Sequence, residues 1–285
     1  AVGLAAAFAA GADTVTQWTP NGISSPQFES HAAFDPNNGD VYFVRSSPQF
    51  RGWRILTSVC RDGEWSPPRP PPFAADVDEA DPWFTPDGRS LYFISKRASN
   101  ADSKSDLDIW RVDRTPSGAL SGPPVRLPAP VNSTGHEWFP RLAPDGWLYF
   151  GSDRPGGRGR TDIWRAREHV PGQWQVENAG PSINSEADEY EAEISPDGSR
   201  MVLMTADGYF ESVWTPQGWS PRRRMAEEIN RSGAEVGALF SPTGKSLMFA
   251  RDTRGLLSGE FHVWRGEDSE AWPPDCTSVR PARAR

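Results

Sequence analysis

The chain has 285 residues, with 26 Gly, 28 Pro and a formal net charge of −8 at pH 7. Because phosphate binding needs a concentrated basic face, this charge argues against nucleic acid as a partner. The frequent turn-forming residues, without low complexity, are typical of a turn-rich, all-β domain.

The N-terminal residues 1–12 are almost entirely Ala, Gly, Val, Leu and Phe, and end in Ala10-Gly11-Ala12. This predicts the remnant of a secretory signal peptide; the alternative is a disordered arm. No other stretch approaches the ~20 apolar residues of a membrane span, so we expect contact with a membrane to be peripheral at most. Export to the periplasm or outside the cell is therefore the expectation, and residues 280–285 form a basic C-terminal tail.

One pattern recurs five times between residues 23 and 252. A large apolar residue is followed six places later by Glu, five places after that by an apolar residue, and then by Pro and a Gly-bearing turn. Repeats of about 40–50 residues built from short strands are typical of β-propellers. The copies are Ile23, Glu29, Phe34, Pro36; Phe73, Glu79, Phe84, Pro86; Val131, Glu137, Leu142, Pro144; Ile183, Glu189, Ile194, Pro196; and Ile229, Glu235, Phe240, Pro242.

The pattern predicts an all-β, five-bladed β-propeller over residues 13–279, with four antiparallel strands per blade. The innermost strand follows each Glu, a tight turn such as Pro144-Asp145-Gly146 comes next, and the second strand is the most apolar. We expect both chain termini to close the ring, because residues 14–20 and 272–278 compete for the outermost strand of the last blade.

The third copy carries the fullest set of motifs, namely Val131-Asn132-Ser133, Glu137, Pro144-Asp145-Gly146, Leu148-Tyr149-Phe150, Ser152, Arg154, Gly156-Gly157 and Asp162-Ile163-Trp164. These motifs resemble the WD40-like (SPDG) repeat of TolB-type exported β-propellers of bacteria, over about residues 20–275. The resemblance implies a binding or scaffolding module, with enzymes a minority among such proteins.

The chain has two cysteines, Cys60 in the first copy and Cys276 in the last. Closure of a propeller makes its first and last blades neighbours, which predicts a disulfide in an oxidising compartment. Two separate buried thiols are the alternative, because sequence does not give the Cα separation that a disulfide needs.

The five repeated glutamates are the first candidates for a ligand site, since repetition about an axis places them in a ring at one mouth of the channel. They are Glu29, Glu79, Glu137, Glu189 and Glu235. A ring of this kind would attract a cation, an amine or a polyhydroxyl ligand; the alternative is that each glutamate accepts linker hydrogen bonds or pairs with an Arg such as Arg154. Blade 4 has Asp207 where blade 3 has Arg154, so Glu189 is predicted to lack this partner.

Residues that differ between copies are the second set of candidates. Two places after the Glu stand His31, Asp81 and Glu191, while Arg141 stands four places after it and is predicted to pair with Glu193. Strand alternation predicts that these side chains share the face of the Glu. His136 lies beside the ring, and a water-filled channel lining is the alternative to a ligand site.

Three functions remain open from the sequence. The first is an exported module, expected to be a monomer, that binds a protein or an envelope glycan. The second is a carbohydrate-active hydrolase or lyase using carboxylates of the central funnel. The third is a calcium-dependent enzyme or sensor using the Glu ring. No resident cofactor is predicted, calcium excepted, and the four histidines show no metal-ligand spacing.

Overall fold

The computed structural model describes residues 14–98, 106–231, 235–252 and 259–276, and these form five antiparallel blades around one axis. The predicted arm at 1–12 and tail at 280–285 lie outside the described residues. No described residue is in an α-helix, so no described helix could cross a membrane. The five-bladed, all-β prediction is confirmed.

Each blade runs outward from the strand that follows the repeated Glu. Blade 1 contains β2 (Phe28–Phe34), β3 (Val41–Ser46) and β4 (Arg54–Ser58), followed by the hairpin β5 (Cys60–Arg61) and β6 (Glu64–Trp65); blade 2 contains β7 (Glu79–Phe84), β8 (Ser90–Ser95), β9 (Asp108–Asp113) and β10 (Val125–Arg126). Blade 3 contains β11 (Glu137–Leu142), β12 (Leu148–Ser152), β13 (Asp162–Val170) and β14 (Gln173–Asn178). Blade 4 contains β15 (Glu189–Ile194), β16 (Arg200–Thr205), β17 (Gly208–Thr215), β18 (Gly218–Trp219) and β19 (Arg223–Arg224); blade 5 contains β20 (Glu235–Phe240), β21 (Ser246–Asp252) and β22 (Gly259–Arg265).

The N-terminal strand closes the ring. β1 (Thr14–Gln17) pairs antiparallel with β22 and is the outermost strand of blade 5. The C-terminal side contributes a covalent link instead, because Cys276 is bonded to Cys60 of the β5–β6 hairpin with a Cα–Cα distance of 5.3 Å. The predicted disulfide is thereby confirmed. It spans 216 residues, and so long a loop restricts the unfolded chain strongly.

The core lies between neighbouring blades. Tyr42 of blade 1 packs edge-on against Phe84 of blade 2, with ring centroids 5.1 Å apart, and Phe73 contacts Phe93 at the same distance. All four side chains are buried. Aromatic bulk therefore fills the wedge between the blades, as the apolar second strands predict.

An asparagine side chain ties blade 4 to blade 3. Asn184 accepts a hydrogen bond from Ile163 N at 2.8 Å and donates to Ile163 O at 2.8 Å. Asn132 and Asn230 make the same pair of bonds to the preceding blade. Ser24 and Ala74 hold this position in the other two copies.

Candidate functional site

Every repeated glutamate lies at the start of an innermost strand, where the linker from the preceding blade ends; each is at most 1% exposed and is paired with an arginine. We call these five side chains the linker glutamates. The pairs are Glu29 with Arg45, Glu79 with Arg97, Glu137 with Arg154, Glu189 with Arg222, and Glu235 with Arg251. Glu137 also accepts bonds from Ser133 N and Oγ and from Ser152 Oγ, so its carboxylate is satisfied within the linker.

The arginines explain why the spacing between the apolar residue and the Glu is six residues in every copy. Arg154 donates to Glu137 and also to the backbone oxygen of Val131, the apolar residue six places before that Glu. Arg45 likewise bridges Glu29 and the oxygen of Ile23 at 2.7 Å. One guanidinium therefore binds both ends of the six-residue linker, and a change of linker length would break one of the two contacts.

The prediction that Glu189 lacks an arginine partner is wrong. Arg222, from the segment between β18 and β19, pairs with Glu189 and donates to the oxygen of Ile183 at 3.1 Å. It takes the place of the arginine that the other blades supply near the end of the second strand or just after it. Arg222 belongs to the run Arg222-Arg223-Arg224, and nothing in its sequence position identifies this role.

The prediction that the residues after the Glu share its face is also wrong. Glu29 is opposite Arg45, whereas Ala33 is opposite Tyr42, so four residues of β2 face three of β3. The register shifts between the first and fourth residues after the Glu in four of the innermost strands, and between Glu189 and Glu191 in β15. This β-bulge turns the chain, with a φ of 51° at His31 and 55° at Asp81. The linker glutamates and the residues two places later thus point to different parts of the molecule.

The bulged positions meet at the propeller axis. His31 Nε2 lies 3.0 Å from Glu191 Oε1 and 3.3 Å from Asp81 Oδ1, and His31 Nδ1 lies 2.8 Å from Ser30 Oγ. The second oxygen of each carboxylate accepts a backbone N–H of the next blade, from Phe139 to Asp81 and from Gly237 to Glu191, both at 2.8 Å. The structure brings His31, Asp81 and Glu191 into direct contact.

An ion pair lies next to this group. Arg141 Nε is 2.5 Å from Glu193 Oε2, as the sequence predicts, and Glu193 Oε1 accepts from Phe240 N at 3.0 Å. The guanidinium of Arg141 lies over the ring of Phe139, 3.5 Å from its centroid, and this ring contacts His31 edge-on. We call His31, Asp81, Arg141, Glu191 and Glu193 the axial cluster; each is at most 6% exposed.

The axial cluster holds three carboxylates and two cationic side chains. Burial raises the pKa of Asp81; His31 opposes this, and repulsion from Glu191 adds to it. Burial acts to lower the pKa of His31, but Asp81 and Glu191 together outweigh it and raise that pKa. With all five groups ionised, one negative charge is uncompensated in a buried environment, where it is costly.

A cavity of about 280 Å³, the central cavity, reaches the axial cluster at His31, Asp81 and Glu191. Aromatic side chains form one part of its wall: Phe50, Trp53, Trp138 and Tyr190. Aliphatic and thioether side chains form the rest: Val44, Ala80, Ile94, Met204 and Val236. None of the linker glutamates, all of which are described, belongs to this wall.

His136 and Arg141 do not line the central cavity either. His136 stacks on Trp138 with centroids 5.5 Å apart, and its Nδ1 accepts a bond from Leu107 N. Sequence reasoning missed the wall residues Phe50 and Trp53, which come from the loop after β3. The only signal there is the aromatic content of an otherwise irregular loop.

Within the described residues, no group of three or more His, Cys, Asp and Glu side chains is arranged to hold a metal ion. His31 occupies the space between the two carboxylates of the central cavity, and each linker glutamate contacts an arginine.

The fold is similar to that of known structures at low sequence identity. An α-L-arabinofuranosidase from Podospora anserina matches with a TM-score of 0.52 and 11% identity, over 87% of this chain and 92% of that chain. A gluconolactonase from Xanthomonas campestris matches with a TM-score of 0.51 and 11% identity, over 90% of each chain. These matches show a shared fold, which does not fix an activity.

A putative TolB from Agrobacterium tumefaciens matches with 18% identity over 70% of this chain and 80% of that chain. The TM-score of this match is 0.38. No family model and no curated protein matches the chain.

Proposed function

We propose that this propeller is a binding module whose central cavity holds one positively charged group on an apolar body, such as a protonated amine. The observation that carries the proposal is the charge imbalance of the axial cluster, three carboxylates against two cations, at the end of an apolar cavity. A single bound cation would neutralise the buried excess charge.

The cavity wall supports an amine over a sugar. Trp53, Trp138 and Tyr190 line the cavity, and aromatic side chains are groups that attract a cation. An envelope glycan would need hydrogen-bonding groups along the wall, and Val44 and Ile94 offer none. A glycan or a protein remains the partner class that the repeat resemblance implies, with an amino group as the part that enters the cavity.

Calorimetric titration with benzylammonium and with benzyl alcohol, its neutral analogue, tests this. We expect benzylammonium to bind and benzyl alcohol to bind at least about tenfold more weakly, since one ion pair is worth a kcal/mol or more in such a site. Glu191→Gln should abolish the difference, whereas Glu186→Gln, an exposed carboxylate of the same linker, should leave it unchanged. Equal binding of the two compounds would contradict the proposal.

A second candidate is glycoside hydrolysis at the same cluster. Asp81 and Glu191 approach one nitrogen from two sides, and the pKa of Asp81 is raised by its burial. A protonated Asp81 would remove the charge imbalance and could serve as general acid, with Glu191 as the second carboxylate. Release of nitrophenol from nitrophenyl glycosides, lost in both Asp81→Asn and Glu191→Gln, would favour this candidate.

We also propose that the protein is exported. The disulfide between Cys60 and Cys276 supports this, because such bonds persist in oxidising compartments. Fractionation of the native cells should recover the protein outside the cytoplasm with both cysteines oxidised; a reduced, cytoplasmic protein would refute export.

A further inference from the structure

The His31 ring has a hydrogen-bond partner at each nitrogen. Nε2 faces only carboxylate oxygens, of Glu191 at 3.0 Å and Asp81 at 3.3 Å, so this nitrogen must carry a proton. Nδ1 lies 2.8 Å from Ser30 Oγ, a hydroxyl that can accept a bond from a second ring proton. The Ser30 hydroxyl can also donate to Nδ1, so this contact fits either form of the ring. The two carboxylates at Nε2 are what favours the imidazolium.

The fifth blade leaves room for this ring. Gly237 occupies the axial position of blade 5, and a Cβ added there would lie 2.7 Å from His31 N and 2.9 Å from His31 Cα. Real Cβ atoms do not approach backbone so closely. His31 itself has a left-handed backbone, with a φ of 51°. The absent side chain at position 237 and the bulge at 31 together place the imidazole between the two acids.

The charged groups that face His31 come from three neighbouring blades. Asp81 comes from β7 and Glu191 from β15, while Arg141 comes from β11 and is held by Glu193. β20 contributes only the backbone of Gly237. Without the imidazolium, two negative charges of this cluster would be uncompensated.

We infer that His31 determines how many positive charges a ligand of the central cavity can carry. Its imidazolium fills the place between Asp81 and Glu191, so that the cavity takes one further positive charge and not two. The inference rests on the proposed function for its ligand, but the role of His31 as an internal counter-ion rests only on the two carboxylates that face its Nε2.

The test compares propylammonium with propane-1,3-diammonium, which has the same chain and a second charge. Binding of each to the wild type and to His31→Asn is measured by calorimetry at pH 7; Asn is chosen because it tolerates a positive φ. We expect the wild type to show no preference for the dication, and His31→Asn to prefer it by at least about tenfold. His169→Gln, at an exposed histidine of β13, is the matched control and should behave as the wild type.

An unchanged ratio of the two affinities in His31→Asn would overturn the inference. NMR titration of the histidine ring signals in the wild type decides the case even if that variant fails to fold. We expect the His31 signal, assigned against the other three histidines, to remain that of the imidazolium at pH 7; a neutral ring would overturn the inference. If no ammonium ion binds but His31 is an imidazolium, the proposed function fails and the counter-ion assignment stands.

Discussion

His31, Asp81 and Glu191 stand only two positions after linker glutamates in the same strands and are also buried, yet their contacts are entirely different. Glu189 is bound by Arg222 and by Ser185 N and Oγ, all within its own blade. Glu191 contacts His31, from three blades away in the chain, and the backbone of Gly237. The first kind of residue is identical in all five copies, and the second kind differs in each.

This difference separates architecture from a site. A linker must join two blades five times over, so one solution serves every copy, and the arginine bridge supplies it. A ligand on the axis meets all five blades at once, and an asymmetric molecule needs different groups from each. The β-bulge allows both, because it turns the chain between the two positions.

The largest expected effect on stability comes from removing the charge of a linker glutamate. We expect Glu189→Gln to lower the free energy of unfolding by about 3 kcal/mol, because it removes the charge of a fully buried carboxylate and leaves the partly buried Arg222 without its charged partner. Glu191→Gln, the matched variant two residues away, should change the free energy of unfolding by less than about 1 kcal/mol, since it removes an excess charge. Urea denaturation of both variants measures this. Equal losses in the two variants would erase the distinction between linker and axis.

The fold could be predicted because its determinant is local. The six-residue spacing from Val131 to Glu137 is set by a guanidinium that spans it, so the spacing is visible in the sequence although its cause is not. The disulfide could be predicted for a similar reason, since ring closure alone brings Cys60 near Cys276.

The site could be predicted only in part. His31, Asp81 and Glu191 were identifiable as the positions where the copies differ. Their direction was not, because a positive φ at His31 and Asp81 has no signature in the residues themselves and strand alternation predicts the opposite face. Arg222 was missed as a partner because it reaches Glu189 across 33 residues, outside the register of the repeat.

An intermediate effect is expected at the asparagine between blades 3 and 4, which extends the comparison to the linkers themselves. Asn184→Ala leaves Ile163 N and O without their side-chain partner, and we expect it to lower the free energy of unfolding by about 1–3 kcal/mol. Ligand binding at the axis should be unaffected. Thermal unfolding of Asn184→Ala beside Ser24→Ala, the linker that lacks the asparagine, measures the difference; equal changes would show that the asparagine has no special role.

The smallest effect is the part of the pH dependence of stability that Asp81 contributes. The folded-state pKa of Asp81 is raised, chiefly by burial, so the folded protein binds this proton more tightly than the unfolded chain does. Its contribution to stability is therefore present at low pH and is lost as the pH rises from about 4, the value for an unperturbed Asp, through the raised pKa. A single proton limits the slope to about 1.4 kcal/mol per pH unit. Asp81→Asn does not ionise and should lack this component of the slope, whatever its absolute stability. Denaturation of both proteins between pH 4 and pH 7 measures the two slopes. Identical slopes would mean that the negative charge of Asp81 has no cost in the folded protein, which would contradict the proposal of a bound cation at the axis.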